Sequence, residues 1–380
     1  MSRQEDLEQG APGNKPTATT RAKALRFVVM VGVMSLFADF TYEGSRSIVG
    51  PYLGALGAGA FAISAVTGLG EFVGYALRLL SGRSADRTGL YWPIAISGYA
   101  LQMTVVPLLA IAGSWQIAAL FIILERVGKA TRNPPRDAML SHAAKHIGYG
   151  WGFGVHEALD QLGALLGPLA LALVLSLKHN DYRLAFASLA VPAVVMLSCL
   201  AVARLAYPRP ADMEPSTSEL ELSGYPRAFW IYMTGAALAG LGFADYPLIS
   251  YHLEQASVVT ANEVPVFYAI AMAVGGLGSL ALGRVLDRSG TRVLVPLTIL
   301  SAAYAPLVFF GGFWVALGGI ALWGLGMGVQ ESVMSAAIAP MVGPHRRSSA
   351  YGLFTGSMGV PGSSVASLSG SSTASLSGRW

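Results

Sequence analysis

Ten apolar runs of helical length organise the chain, near residues 24–52, 58–80, 91–111, 114–132, 149–177, 183–206, 227–252, 263–285, 292–311 and 313–338. Most approach the ~20 residues that a helix rising ~1.5 Å per residue needs to cross a bilayer. The pattern therefore predicts an all-α protein built of membrane spans. Polar stretches punctuate it in three places. Residues 1–23, rich in Gln, Glu, Thr and Pro, lack the apolar core and cleavage site of a signal peptide and are expected to form a disordered tail. Residues 207–225 read as a Pro/Ser/Glu-rich linker between two units, 24–206 and 226–360. Residues 361–380 turn into Ser/Gly-rich low complexity.

A short charged turn recurs between the runs. Gly82-Arg83-Ser84-Ala85-Asp86-Arg87-Thr88-Gly89 returns as Gly283-Arg284-Val285-Leu286-Asp287-Arg288-Ser289-Gly290, a displacement of 201 residues from Gly82 to Gly283. Phe37-Ala38-Asp39-Phe40 returns as Phe243-Ala244-Asp245-Tyr246, and Trp151-Gly152-Phe153 as Tyr351-Gly352-Leu353, at offsets of 206 and 200. A nearly constant offset close to half the length marks a unit duplicated in the same direction, so with the same membrane orientation.

Gly82, Asp86, Arg87 and Gly89 resemble the signature loop between the second and third helices of the major facilitator superfamily. Gly283, Asp287, Arg288, Gly290 and Arg292 resemble its counterpart between helices eight and nine. The resemblance covers residues 24–360. It implies two pseudo-symmetric six-helix bundles around a central cavity, working by alternating access. It also implies that the loop aspartates act as latches, Asp86 toward the start of helix eleven and Asp287 toward that of helix five.

Composition sharpens this picture. Only 12% of the chain is charged and 53% is hydrophobic, about half the charge of a soluble domain, so most of it is expected in lipid. The net charge of +4 does not read as nucleic-acid binding, because the basic residues flank helix ends. Arg83 and Arg87; Arg132, Arg136 and Lys145; Arg209; Arg284 and Arg288; and Arg346 and Arg347 fall in loops on one side, leaving little beyond Lys178 and Arg183 on the other. With Arg21, Lys23 and Arg26 before the first run, this bias predicts a cytoplasmic N-terminus in the plasma (inner) membrane. Cys199, the single cysteine, excludes a disulfide framework or cysteine metal cluster. No metal or cofactor is expected, and no nucleophile–base pair or ATP-binding loop points to an enzyme.

Charges inside the runs are the candidate chemistry, because ionisable groups in a bilayer are costly and face a cavity or a partner. Asp39, Glu43 and Arg46 (i, i+4, i+7) fall within about 60° of arc, and Asp39 lies roughly 22 Å past Ala24. The cluster fits two readings: a proton-exchanging acid tuned by Arg46, or a Glu43–Arg46 pair that fixes packing. Asp245 is its duplicate. Glu71 suits either an interhelical pair or a transport role, with Arg78 bracing the loop. Arg126, followed by Gly128, loosely resembles the superfamily's arginine signature on helix four, and Glu125, Lys129 and Arg132 suit a salt-bridge ladder stopped by Pro134. On helix five, Gly154, Gly163, Gly167 and Pro168 resemble most of the antiporter signature, its last two glycines replaced by Leu171 and Ala172. The same spacing also suits generic close packing. His156 and Asp160 (i, i+4), beside Glu157, could form a titratable or a structural pair. Gln330 and Glu331 are weaker candidates, Glu331 as a partner for a loop arginine.

These readings converge on a secondary transporter, an exporter of a small organic solute or drug coupled to protons. An importer with the same acids, and a non-transporting remnant, are the alternatives. The expected partners are a small-molecule substrate, protons and the lipid bilayer, with a monomeric assembly. Helix eleven starts plausibly at Ser349, but residues 361–380 cannot span a bilayer, so helix eleven is expected to be incomplete and helix twelve missing. A one-base frameshift near Val360 accounts for this; a deliberately short chain covered by a partner or dimer mate is the alternative.

Overall fold

A computed structural model describes residues 18–179, 181–209, 224–244, 246, 249, 252–253, 256–259 and 263–358. Asp245 and the Ser/Gly-rich tail lie outside these residues, as do most of residues 1–23 and of the linker. All regular structure among the described residues is helical. The first unit holds α1 (Ala18–Ala55), α2 (Ala60–Thr88), α3 (Tyr91–Leu108), α4 (Trp115–Ala144), α5 (Tyr149–Leu177) and a final span stepped at Leu189 into α6 (Tyr182–Ser188) and α7 (Ala190–Ala206). The second holds α8 (Arg227–Leu241), α9 (Val264–Ser289), α10 (Leu294–Ala302), α11 (Tyr304–Phe310), α12 (Phe313–Gly328), a π turn (Val329–Met334), α13 (Ser335–Ile338) and α14 (347–358).

Seven of the described helical stretches are long and apolar enough to cross a membrane. Their outward faces carry bare apolar side chains such as Leu173, Val191, Leu205, Leu277, Ile299 and Phe310. That surface is unfavourable in water and fits hydrocarbon. The chain is an integral membrane protein.

Close helix approach sets the packing. α5 lies between α1 of its own bundle and α9 of the other. A Cβ at Gly163 or Gly167 would meet the carbonyl oxygens of Leu36 and Phe40 on α1, whereas one at Gly154 would meet that of Ser279 on α9. The glycines of the helix-five pattern thus serve two neighbours, one inside the bundle and one across the interface. The largest apolar cluster also crosses that interface, joining Phe27, Met34, Tyr99 and Phe153 to Phe229, Val333, Tyr351 and Phe354.

Two expectations are corrected. α1 starts at Ala18, inside the expected tail. More consequentially, α4 does not stop at Pro134 but runs through Pro134 and Pro135 to Ala144. Proline at position 134 deprives the Ala130 carbonyl of its usual N–H donor. Ser81 of α2 supplies a replacement, its hydroxyl donating to Ala130 O at 2.8 Å. A neighbouring hydroxyl thus keeps α4 helical where local rules end it.

This arrangement makes a coupled prediction. Ser81→Ala should destabilise the folded protein by about 1–3 kcal/mol, the cost of a buried unsatisfied carbonyl, and most of that loss should vanish in a Pro134→Ala background, where the backbone N–H returns. Thermal unfolding of the single and double variants in detergent measures the coupling, and equal losses in both backgrounds would contradict it.

Candidate functional site

Running through α4 places Arg132 and Arg136, assigned above to a loop, inside the protein. Arg132 is 0% exposed and bonds Asp39 Oδ1 of α1 through Nη2 at 3.2 Å. Its Nε donates to Gln102 Oε1 at 2.7 Å, its Nη1 to Tyr99 Oη at 3.2 Å, and its guanidinium lies over the Tyr99 ring. Gln102 in turn donates through Nε2 to Glu125 Oε1 at 2.8 Å. Glu125 faces Arg126 at 3.5 Å, Arg126 meets Glu71 of α2 at 3.2 Å, and Glu71 lies 4.0 Å from Arg46, which pairs with Glu43 at 3.6 Å. These contacts form one polar chain through α1, α2, α3 and α4. Arg46, at the end far from the charged turns, has a 46% exposed side chain. The chain runs from a sealed interior to an accessible rim.

A second arm reaches α5. Asp160 lies within electrostatic reach of Asp39, and its enclosed Oδ1 has no hydrogen-bond partner among the described residues. His156 Nε2 is bonded to Ser35 Oγ at 2.8 Å, and the same hydroxyl accepts from Arg136 Nη1 at 3.3 Å. Arg136 is held by Asp137 at 2.8 Å. Farther along the bundle interface, Gln161 Nε2 donates to Glu157 Oε1 at 2.8 Å and to Glu331 Oε2 at 3.2 Å. Glu331 stands on the π turn of the second bundle, so this contact bridges the two halves.

The duplicated turns make matching contacts. Asp86 accepts from the backbone N–H of Ser348 (3.2 Å) and Ser349 (2.6 Å), at the start of α14, and from Tyr91 Oη at 2.9 Å. Asp287 accepts from the N–H of Gly150 (2.7 Å) and Trp151 (2.8 Å), at the start of α5. Each carboxylate thus satisfies helix-start donors that have no intrahelical acceptor. Gly82 and Gly283 let the backbones approach, since a Cβ there would meet Ser348 O and Gly150 O. Gly89 and Gly290 adopt left-handed φ of 69° and 68° to end α2 and α9. Arg87 and Arg288 are exposed, Arg284 lies 3.6 Å over the Trp151 ring, and Arg78 lies over Tyr75.

Several sequence-based pairings differ in the structure. The Glu125–Lys129–Arg132 ladder does not form: Glu125 turns to Gln102 and Arg126, Arg132 to Asp39, and Lys129 rests on the Tyr42 ring at 3.4 Å. His156 turns to Ser35 of α1 rather than to Asp160. Glu331 meets Gln161 rather than a loop arginine. Ser35, Tyr99, Gln102, Arg136 and Asp137 escaped the sequence reading. Their only signal was the i, i+4 spacing of Arg132 and Arg136, hidden by Pro134.

A family model described as Major Facilitator Superfamily matches residues 31–367. The chain is 42% identical over 343 residues to an uncharacterized protein of Mycobacterium bovis, covering 89% of this chain and 84% of that one. It is 24% identical over 352 residues to an uncharacterized MFS-type transporter of Methanocaldococcus jannaschii, covering 89% and 87%. Among solved structures, the transporter FucP in its outward conformation superposes with a TM-score of 0.67 at 15% identity, over 90% of each chain.

The Arg132–Asp39 pair carries a measurable cost. Arg132→Leu should destabilise the protein by about 3–5 kcal/mol by stranding a buried carboxylate, and adding Asp39→Asn should recover a large part of it. A thermal-denaturation cycle over the four proteins reads the coupling; strict additivity would show that the two side chains do not depend on each other.

Proposed function

The chain belongs to the major facilitator superfamily of membrane transporters, and from that premise we propose that it exports a small organic solute in exchange for protons by alternating access. As a member it is a secondary transporter, not an enzyme. The observation that carries the proton-coupled reading is the buried Asp39–Arg132 ion pair, in whose electrostatic reach Asp160 of α5 keeps an enclosed Oδ1 with no hydrogen-bond partner among the described residues. Two carboxyl groups this near each other and away from water favour holding one proton between them. With the proton present the two acids hold α1 and α5 together. Without it, Asp39 has Arg132 and Asp160 is left as an unpaired carboxylate that repels Asp39 and any acid beside it. Protonation and solute binding then bias the same element, which is what coupling requires.

Alternating access finds support in the turn contacts. Asp86 ties α2 of the first bundle to α14 of the second, and Asp287 ties α9 of the second to α5 of the first. Both ties lie on the face carrying the duplicated turns, while Arg46 is accessible toward the opposite face. This is the arrangement of a carrier closed at one end. By the distribution of basic turns, we place the closed end in the cytoplasm of a plasma-membrane protein. The export direction rests on the glycine pattern of α5, whose residues here pack against both bundles.

Liposomes reconstituted with the protein and loaded with the pH dye pyranine test the reading. Small organic solutes placed inside should drive proton movement inward as they leave. Proton movement in the solute's own direction would replace export with symport, and no solute-dependent movement at all would overturn the transport proposal. Asp39→Asn should lower proton-driven flux by at least about tenfold, equivalent to ~1.4 kcal/mol, while the protein stays folded and solute–solute exchange persists. Unchanged proton-driven flux in that variant would remove Asp39 from the coupling. For the turns, Asp86→Ala with Asp287→Ala should raise the labelling of a cysteine placed between the bundles on the cytoplasmic side; labelling equal to that of the parent protein would argue against latches.

A further inference from the structure

Lys129 is the charged side chain of α4 that the polar chain leaves over. Its neighbours are committed: Glu125 to Gln102 and Arg126, Arg126 to Glu71, Arg132 to Asp39 and Gln102, Arg136 to Asp137. Among the described residues no carboxylate oxygen lies within the 4.0 Å of an ion pair from Lys129, whose ammonium instead stands 3.4 Å from the centre of the Tyr42 ring. It is partly accessible, whereas Glu125, Arg126 and Arg132 are buried.

Its surroundings describe a binding space. Asp39, Glu43 and Asp160 are near enough to act on Lys129 through space, without bonding it. Arg46 lies toward the accessible rim of the same side, and Tyr268 of α9 faces Glu43 and Arg46 from the second bundle. Tyr268 packs against Tyr246 at 4.8 Å, which packs against Trp323. Lys129 on one bundle and Tyr268 on the other thus share Asp39 and Glu43 as electrostatic neighbours.

We propose that Lys129 is the anchor for the anionic group of the transported solute, a small organic anion whose oxyanion, carboxylate or phosphate, bonds the ammonium. This rests on the transport reading above and deepens it by assigning the substrate's charge. The chemistry follows from what the site lacks. A part-buried ammonium whose N–H groups meet no acceptor is costly, and the Tyr42 ring face, with Asp39, Glu43 and Asp160 acting from a distance, compensates only part of that cost. An oxyanion supplies the missing partner through charge-assisted hydrogen bonds. A cationic solute would meet Lys129 and Arg46 there, with Asp39 held by Arg132 and Glu43 by Arg46.

The test uses the whole purified chain in detergent and a fixed set of probes: succinate and benzoate as carboxylates, glycerol 3-phosphate as a phosphate, choline as a cation and glucose as a neutral solute. Stabilisation against heating is measured across probe concentration for the parent protein, Lys129→Gln and Lys129→Arg. We expect at least one anionic probe to stabilise the parent, Lys129→Gln to weaken its apparent affinity by about tenfold or more, and Lys129→Arg to keep it within a few-fold. The carboxylate and phosphate arms then identify which oxyanion fits. Equal anion affinity in Lys129→Gln, stabilisation by choline or glucose alone, or no stabilisation by any probe would each overturn the proposal. If Lys129→Gln unfolds before assay, loss of anion binding in Lys129→Met together with its retention in Lys129→Arg decides in the same way. Flux in pyranine-loaded liposomes separates this from the parent reading. Anion binding that depends on Lys129 without flux upholds the anchor and sinks transport, whereas flux of cations untouched by Lys129→Gln does the reverse.

Discussion

Inside a membrane a charge must find its counter-charge within the protein, and the first bundle is arranged around that requirement. Arg132 is wholly enclosed, so Asp39, Gln102 and Tyr99 must be where they are. Gln102 is then bound to Glu125, Glu125 to Arg126, and Arg126 to Glu71. Each link places a residue of one helix against a residue of another. Removing one member leaves a buried charge exposed to low dielectric, which costs far more than the bond itself contributed. The helices of this bundle are consequently registered by electrostatics where apolar side chains alone, facing equally apolar lipid, would leave them free to slide.

The second bundle has no such chain in its corresponding span. At the duplication offset, Glu125, Arg126, Lys129, Arg132 and Arg136 fall on Gly326, Met327, Gln330, Val333 and Ala337. That span instead carries the π turn, which sets Glu331 toward Gln161 of α5. The two halves thus share a frame and divide the chemistry. In these matching spans, one carries the linked ionisable groups, and the other sets Glu331 among small and apolar residues.

What was legible in the sequence follows the range of the forces involved. Apolar runs announced the spans because lipid acts on each stretch independently. The G-R-x-x-D-R-x-G turns were legible because each glycine has a local duty: Gly89 and Gly290 need left-handed φ, and Gly82 and Gly283 need room. Arg132 and Arg136 were misread because the local rule for Pro134 ends a helix, and a basic pair just past a helix end resembles a cytoplasmic loop. The hydroxyl that overrides the rule belongs to Ser81, on another helix and 49 residues from the Ala130 carbonyl it serves. The pairing of His156 with Asp160 fails for the same reason: their spacing permits a pair within α5, and Ser35 on α1 provides His156 with another partner. Partners brought together by tertiary packing leave no local trace.

The carboxylates of Asp86 and Asp287 end on backbone N–H groups that no helical carbonyl can reach. When the bundles part, water can take the place of each carboxylate, and each carboxylate can be hydrated in turn. The exchange conserves the number of hydrogen bonds, so its net free energy is small in either direction. A fastening of this kind gives geometric definition with little depth. The closed and parted states can therefore lie near balance, and a single proton or one bound solute carries enough free energy to tip them.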